Sequence, residues 1–547
     1  MRCVRITLCL LAAFGGLSIA TRAEGHVQEP VKPCASLVSL AIDNTTIASA
    51  KEIADGEPIG QFGPIPIPPQ PSHCVVEGKI NKHMGADGVE YGDRFQLRLP
   101  DAWTGRFLYQ GGGGLDGILN PAVGPVRPGF QTALARGYAV VSTDAGHQGK
   151  NTLDGAFGSD PEARADYLYR STKLVAEVAE KIIAKYYGRK SAHAYMAGCS
   201  TGGRESMLAT QRYPELFDGV VAGDPAFNVV HAAIAEAWFS RKFADIAPKD
   251  AQGKPQLQKA FSDADLKLLA GAVLQKCDGL DGLKDGMIDH PDACRFDPAV
   301  LQCKADKNDT CLSAAQVNAL HITFAGPTDS KGTALYSDWP YDAGLETPGW
   351  RMWTLGNDQM PALNVLIYPE FLSRVAMNPG ETPIPDAFSF DFDKDPARIA
   401  GTAPLMDADS TDLSAFRRHG GKLILYTGMS DPVFSANDLI RYYNRLAQQN
   451  GGMAATRQFA RLFRIPGMTH CFGGPALDDF DDLTAIETWV ERGTPPDQLV
   501  ATGRDFPGRS RPLCPYPQIP RYMGTGSTED AANFACKNLQ NSPGSNK

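Results

Sequence analysis

A chain of 547 residues is too long for one minimal domain and holds material for two or three core-forming units. With 43% apolar and 21% charged residues it has an ordinary globular make-up, which excludes a disordered or fibrous chain. The formal net charge is −9 and the densest basic spot is only Arg417, Arg418 and His419, so nucleic acid is a poor partner for want of a positive patch.

Two arginines, Arg2 and Arg5, precede an apolar stretch from Ile6 to Ala20, and small residues follow at Ala20 and Ala23. This order predicts a signal peptide over residues 1–23 and a secreted or periplasmic protein. Loss of that segment removes Arg2, Arg5 and Arg22 and no acid, taking the formal charge to −12. No later run approaches a membrane span, so no membrane association is expected after cleavage. Twelve cysteines less Cys3 and Cys9 leave ten, an even number suited to an oxidising compartment. The absence of any Cys-x-x-Cys pair argues against zinc. Spacing does not fix connectivity. Close spacing suggests Cys277 with Cys294, Cys303 with Cys311 and Cys514 with Cys536, and a Cys34–Cys74 bridge would tie down the N-terminal segment.

Residues 24–74 are Pro-rich near Pro64–Pro71 and read as an extended wrap. Strands are predicted at 94–99, 106–109 and 138–141 from alternating or continuous apolar runs. Leu174, Val178 and Ile182 recur every four residues beside Val175, Ala179, Ile183 and Tyr186, which predicts a helix ended by Gly188. A strand at 193–197, a helix at 204–211, strands at 219–222, 422–426 and 462–465, and a helix at 483–492 follow. Strands alternating with helices predict an α/β protein with a mostly parallel sheet covered on both faces. Residues 227–415 break the rhythm and read as a lid domain inserted between sheet strands. The core is then built from residues 24–226 and 416–547.

Gly198-Cys199-Ser200-Thr201-Gly202 fits G-x-S-x-G between a predicted strand and a predicted helix. That turn lifts a serine hydroxyl clear of the sheet and makes Ser200 the candidate nucleophile of an α/β-hydrolase core. A serine needs a base, and the base an orienting carboxylate, in the chain order Ser, acid, His. Asp431 follows the strand ending at Tyr426, and His470 follows the strand ending at Ile465. Asp438 is the nearest rival acid, within a predicted helix. If Ser200 and His470 meet, the two remaining cysteines, Cys199 and Cys471, lie close enough to bridge. The oxyanion donors are expected to be the amides of Thr201 and, from the run Gly111–Gly114, Gly112. Carboxylates and glycines from Asp278 to Asp289, between Cys277 and Cys294, suggest a calcium loop.

Together these residues resemble the tannase and feruloyl esterase family. The resemblance rests on the Cys199-Ser200 and His470-Cys471 pairs with Asp431 between, the loop from Cys277 to Asp289, and the ending Pro512–Ile519. It covers nearly the whole mature chain. It implies an α/β-hydrolase core with a lid insertion and the ten-cysteine pairing above. It also implies a structural calcium in the lid held by Asp278, Asp281, Asp285 and the carbonyls of Leu283 and Met287, and substrate contacts from Trp353 and Phe434. One member carries Glu after the nucleophile and a lid arginine that grips a substrate carboxylate. Here Thr201 stands after the nucleophile, and the stretch Gly356–Phe371 contains no arginine. The resemblance therefore implies a serine carboxylic ester hydrolase for a small aromatic ester, feruloyl, hydroxycinnamoyl or galloyl. Hydrolysis of a terephthalate monoester is the second reading, and a non-catalytic binding protein the third.

Overall fold

The computed structural model describes residues 27–538 apart from 63, 64 and 379. The predicted signal peptide lies outside the described residues. Nine strands form one sheet: β1 (Thr45–Ile53), β2 (His73–Met84), β3 (Glu90–Pro100), β4 (Arg106–Gln110), β5 (Ala139–Thr143), β6 (His193–Cys199), β7 (Gly219–Gly223), β8 (Lys422–Gly428) and β9 (Ala460–Ile465). Their spatial order is β1-β2-β3-β5-β4-β6-β7-β8-β9. The first three strands and the β3–β5 pair are antiparallel, and every pairing from β5 to β9 is parallel. An open sheet with this parallel half is of the α/β-hydrolase type.

The parallel strands are buried on both faces, which is why they read as continuous apolar runs rather than alternations. In β8, Leu423 and Leu425 join one core with α1 (Ser171–Tyr187), while Ile424 and Tyr426 face a second core on the opposite side. Val175, Ile182 and Ile183 of α1 are fully buried there, each worth about 2 kcal/mol of apolar burial. Gly188 closes α1 in the left-handed region at φ 77°, a conformation that costs a side chain and suits glycine. The helix Asp482–Arg492 covers the other face through Leu483, Ile486 and Trp489.

The N-terminal segment departs from the predicted wrap. β1 lies inside it and pairs with β2 along the edge of the sheet, and the Cys34–Cys74 bridge fastens the turn Cys34–Ser39 to β2. Its sequence, Thr45–Ile53, carries polar side chains and a register shift between Ile47 and Ser49, so no clean period-two pattern marks it.

The connection from β7 to β8 is long and has its own aromatic core, with Phe239, Phe243, Phe261, Trp339 and Trp350 buried together. It holds α2 (Val229–Ile246), α3 (Asp263–Cys277) and α4 (Pro348–Thr354). Two disulfides, Cys277–Cys294 and Cys303–Cys311, close loops within it. Beyond the sheet, Cys514–Cys536 staples the hairpin of Gln518–Tyr522 and Phe534–Asn538. Among the described residues no helix is long and apolar enough to cross a membrane.

Candidate active site

Ser200 stands between β6 and the helix Thr201–Arg212, with φ 62° and ψ −122°. A non-glycine residue at positive φ is strained, and such strain persists where the surroundings over-determine it. Here the surroundings are backbone. The Ser200 N–H donates to the Gly223 carbonyl, and the Ser200 carbonyl accepts from Arg204 and Ala226. Glycine is obligatory on both sides of the turn. A Cβ at Gly198 would stand 2.5 Å from the Gly202 carbonyl carbon, and one at Gly202 would stand 2.8 Å from the Gly112 oxygen.

The acid and the base sit on the loops after β8 and β9. His470 Nδ1 lies 2.8 Å from Asp431 Oδ2, and both side chains are buried. Asp431 Oδ1 accepts the amides of Val433 and Phe434, at 2.7 and 3.2 Å, which fixes the carboxylate plane. His470 Nε2 is buried and has no hydrogen-bond partner among the described residues. Burial alone would lower the imidazole pKa; the charge and hydrogen bond of Asp431 outweigh it and raise it above 6.5. Cys199 and Cys471 are joined, with 5.9 Å between their Cα atoms, so the residues flanking Ser200 and His470 are bonded across 272 positions of sequence. Asp438 lies in the helix Ala436–Gln449 and accepts from Asn228, away from His470.

The glycine run after β4 is stitched to this turn. Gly111 N–H donates to Ala197, the Thr201 hydroxyl donates to the Gly114 carbonyl at 2.6 Å, and Gly202 N–H donates to the Gly112 carbonyl. Gly112 was the expected second oxyanion donor. The Gly112 N–H donates to the buried Glu205 carboxylate at 3.1 Å and so is already engaged. A buried carboxylate requires donors, and Glu205 has taken this one. Burial raises the Glu205 pKa, opposed by Arg204 and by the Gly112 amide, and Asp116 beside it is raised well above the ordinary range by burial and by Glu205. Gly113 N–H has no acceptor among the described residues, and the space beside its Cα is open.

Trp353 and Phe434 flank His470 edge-on, their ring centroids 5.6 and 5.3 Å from the imidazole. The β7–β8 insertion is bonded to both loops that carry the pair. Trp339 Nε1 donates to the Asp431 carbonyl at 3.2 Å. Asp342 accepts from Ser430 Oγ and from the Gly467 amide, at 2.8 and 2.7 Å. Two acids near the pair escaped sequence reasoning. Asp224 accepts the Gly428 and Cys471 amides, and burial with the Asp431 charge pushes it up to about 8. Glu236, on α2, is pushed up to about 8 by burial and the Asp431 charge, against the pull of His470. The latter had one signal, as the only acid in the mostly apolar stretch Val229–Ser240.

The loop Asp278–Asp289 gathers carboxylates that repel one another. Asp278 accepts the Asp285 and Gly286 amides, and Asp281 accepts the Leu283 amide. Burial, then Asp285 and Asp278, push Asp281 up to about 6, and Asp289 is held well above its usual range by burial and the same neighbours. Asp285 Oδ2 pairs with buried Arg511, yet its Oδ1 is buried without a partner. An orphaned carboxylate oxygen among self-repelling acids fits a divalent cation. The three carboxylates do not form a closed set. Among the described residues only Cys199, Asp224 and Cys471 bring three such ligand atoms within 4.8 Å of one another, and there the sulfurs are bonded to each other. A polar recess of about 610 Å³ near β1, lined by Asn44, Asn81, His83 and Arg170 among others, holds none of the predicted site residues.

A serine on a strained strand-to-helix turn, with the acid–imidazole pair delivered by the last two strands of the sheet, defines an α/β-hydrolase. The family model described as "Tannase and feruloyl esterase" matches residues 74–537. The chain is 44% identical to mono(2-hydroxyethyl) terephthalate hydrolase of Piscinibacter sakaiensis over 515 residues, 85% of each chain. It is 31% identical to a probable feruloyl esterase B-2 of Aspergillus terreus, covering 80% of this chain and 82% of the relative. The crystal structure of feruloyl esterase B from Aspergillus oryzae superposes with a TM-score of 0.76 at 25% identity, covering 91% of this chain and 98% of that one. The chain belongs to the tannase and feruloyl esterase family and is a carboxylic ester hydrolase.

Proposed function

We propose that this chain is an exported serine esterase that cleaves feruloyl, hydroxycinnamoyl or galloyl esters through an acyl-enzyme at Ser200. One observation carries the reading: His470 is held by Asp431 on one nitrogen, leaves the other buried and free, and is tied to the Ser200 turn by the Cys199–Cys471 bridge. In this mechanism Ser200 Oγ attacks the ester carbonyl as His470 Nε2 takes its proton. The oxyanion is held by the Thr201 amide and, with Gly112 engaged by Glu205, by the Gly113 amide. His470 returns the proton to the leaving alcohol. Water then repeats the sequence, releasing the acid and restoring the Ser200 hydroxyl. Residues 227–415 act as a lid, with Trp353 covering the acyl ring and Phe434 pressing on it from the core side. The loop binds calcium as a structural ion, through Asp278, Asp281, Asp285 and the Leu283 and Met287 carbonyls. Export follows from the signal peptide read over residues 1–23, and five disulfides suit it.

A second reading, terephthalate monoester hydrolysis, is favoured by the 44% identical relative. The missing arginine in Gly356–Phe371 counts against it. Purified enzyme assayed on methyl ferulate, methyl gallate, chlorogenate and terephthalate monoester separates the two. Feruloyl or galloyl esters are expected to give the highest kcat/KM; a monoester rate well above both reverses the ranking. Ser200→Ala is expected to lose at least about 10⁴-fold in kcat and all labelling by a phosphonate serine reagent. Labelling elsewhere in the wild type removes Ser200 as the nucleophile.

A further inference from the structure

Helix α2 turns one stripe of side chains toward the active site. Ala232 packs with Val433 and Phe434, and Trp353 lies against this group. Glu236 is one turn further along the same stripe and senses the charges of both His470 and Asp431. It is 8% exposed and makes no hydrogen bond or ion pair among the described residues. The other buried acids nearby differ. Asp224, Asp342 and Asp431 each accept two or more donors. Buried polar groups in a folded protein are nearly always paired, and an unpaired carboxyl beside a reacting centre calls for a ligand with polar atoms of its own. The step sequence above gives Glu236 no role. Pushed up to about 8, it is a neutral carboxyl at pH 7, able to donate and accept at once.

We propose that Glu236 sets acyl specificity: its carboxyl hydrogen-bonds a ring hydroxyl of the bound aromatic acid. This rests on the aromatic-ester reading and adds the residue that reads the ring. A site built to hydrogen-bond a hydroxyl discriminates strongly against the analogue that lacks it, because its own buried group is then left unpaired.

The test compares methyl caffeate, methyl cinnamate and terephthalate monoester on the wild type, Glu236→Gln and Glu236→Leu. Phosphonate titration normalises each preparation to its competent sites. The wild type is expected to favour caffeate over cinnamate by about 10-fold or more. Glu236→Leu should lose roughly 10- to 100-fold in kcat/KM on caffeate and under about 3-fold on cinnamate. Glu236→Gln, which keeps a neutral donor and acceptor, should stay within about 5-fold of the wild type on caffeate. Equal losses on caffeate and cinnamate mean a structural role and overturn the proposal, as does a wild type that does not separate the two esters. Either result leaves the aromatic-ester reading standing. A wild type that cleaves 4-nitrophenyl acetate but none of the three aromatic esters overturns both.

Discussion

At the scale of single residues the decisive quantity is the proton on His470. Burial opposes the imidazolium, but the Asp431 carboxylate at 2.8 Å holds it above the ordinary 6.5. Catalysis as proposed needs the neutral ring, so activity is lost as pH falls through that raised value. The acid limb of kcat/KM is therefore expected above pH 6.5. Asp431→Asn removes the charge that holds the proton, so the limb should move to lower pH while kcat falls by about 10³- to 10⁴-fold. A limb that stays in place in the variant assigns the titration to some other group. Ser200, Asp431 and His470 were legible because G-x-S-x-G, a post-strand Asp and a post-strand His fall in one chain order. The fate of the Gly112 amide was not, because its acceptor, Glu205, sits 93 positions away and only the fold brings them together.

At the scale of elements, the turn after β6 and the loop after β9 are separate pieces of chain, joined covalently only by Cys199–Cys471. Asp224, just after β7, accepts the Cys471 and Gly428 amides and so ties the loop after β9 to the ends of β7 and β8. Without the bridge, the position of His470 relative to Ser200 rests on loop packing, and a displacement near 1 Å costs about 100-fold in such sites. Cys199→Ser/Cys471→Ser is expected to lose about 10- to 100-fold in kcat and to be destabilised by about 2–4 kcal/mol in urea unfolding. Unchanged kcat with lowered stability alone would show the bridge to be a staple without a positioning role. Elements with both faces buried, such as β5 and β8, were legible as apolar runs, and α1 as a four-residue repeat. β1 was not. An edge strand needs only one buried face, and the register shift in β1 breaks even that alternation.

At the scale of the whole molecule, the acidic loop lies where the insertion meets the C-terminal hairpins. Arg511 pairs with Asp285, Arg509 donates to the Asp285 carbonyl at 2.7 Å, and Arg521 donates to the Asp281 carbonyl. Three arginines from one end of the chain thus hold a loop that begins at Asp278, and burial still favours protonation of Asp281 and Asp289 there. The aspartates were legible as Asp-Gly repeats; the arginines were not, since nothing local links residue 285 to residue 511. A cation bound there would offset the repulsion and lock insertion to core, so its removal should be felt by the entire fold rather than by the loop. Binding at about 100 times its dissociation constant adds about 2.7 kcal/mol to stability. Thermal melting of the dialysed enzyme is therefore expected to fall by several degrees in excess EDTA. Calcium should restore it and magnesium should not, because magnesium demands a smaller octahedral shell and keeps its waters. Identical melting temperatures in EDTA and in millimolar calcium would mean that Arg511 alone neutralises the loop. Asp285→Asn separates the two accounts further: it should abolish the calcium response if the ion is held there, and it should lower the melting temperature in EDTA as well, because it leaves buried Arg511 without its partner.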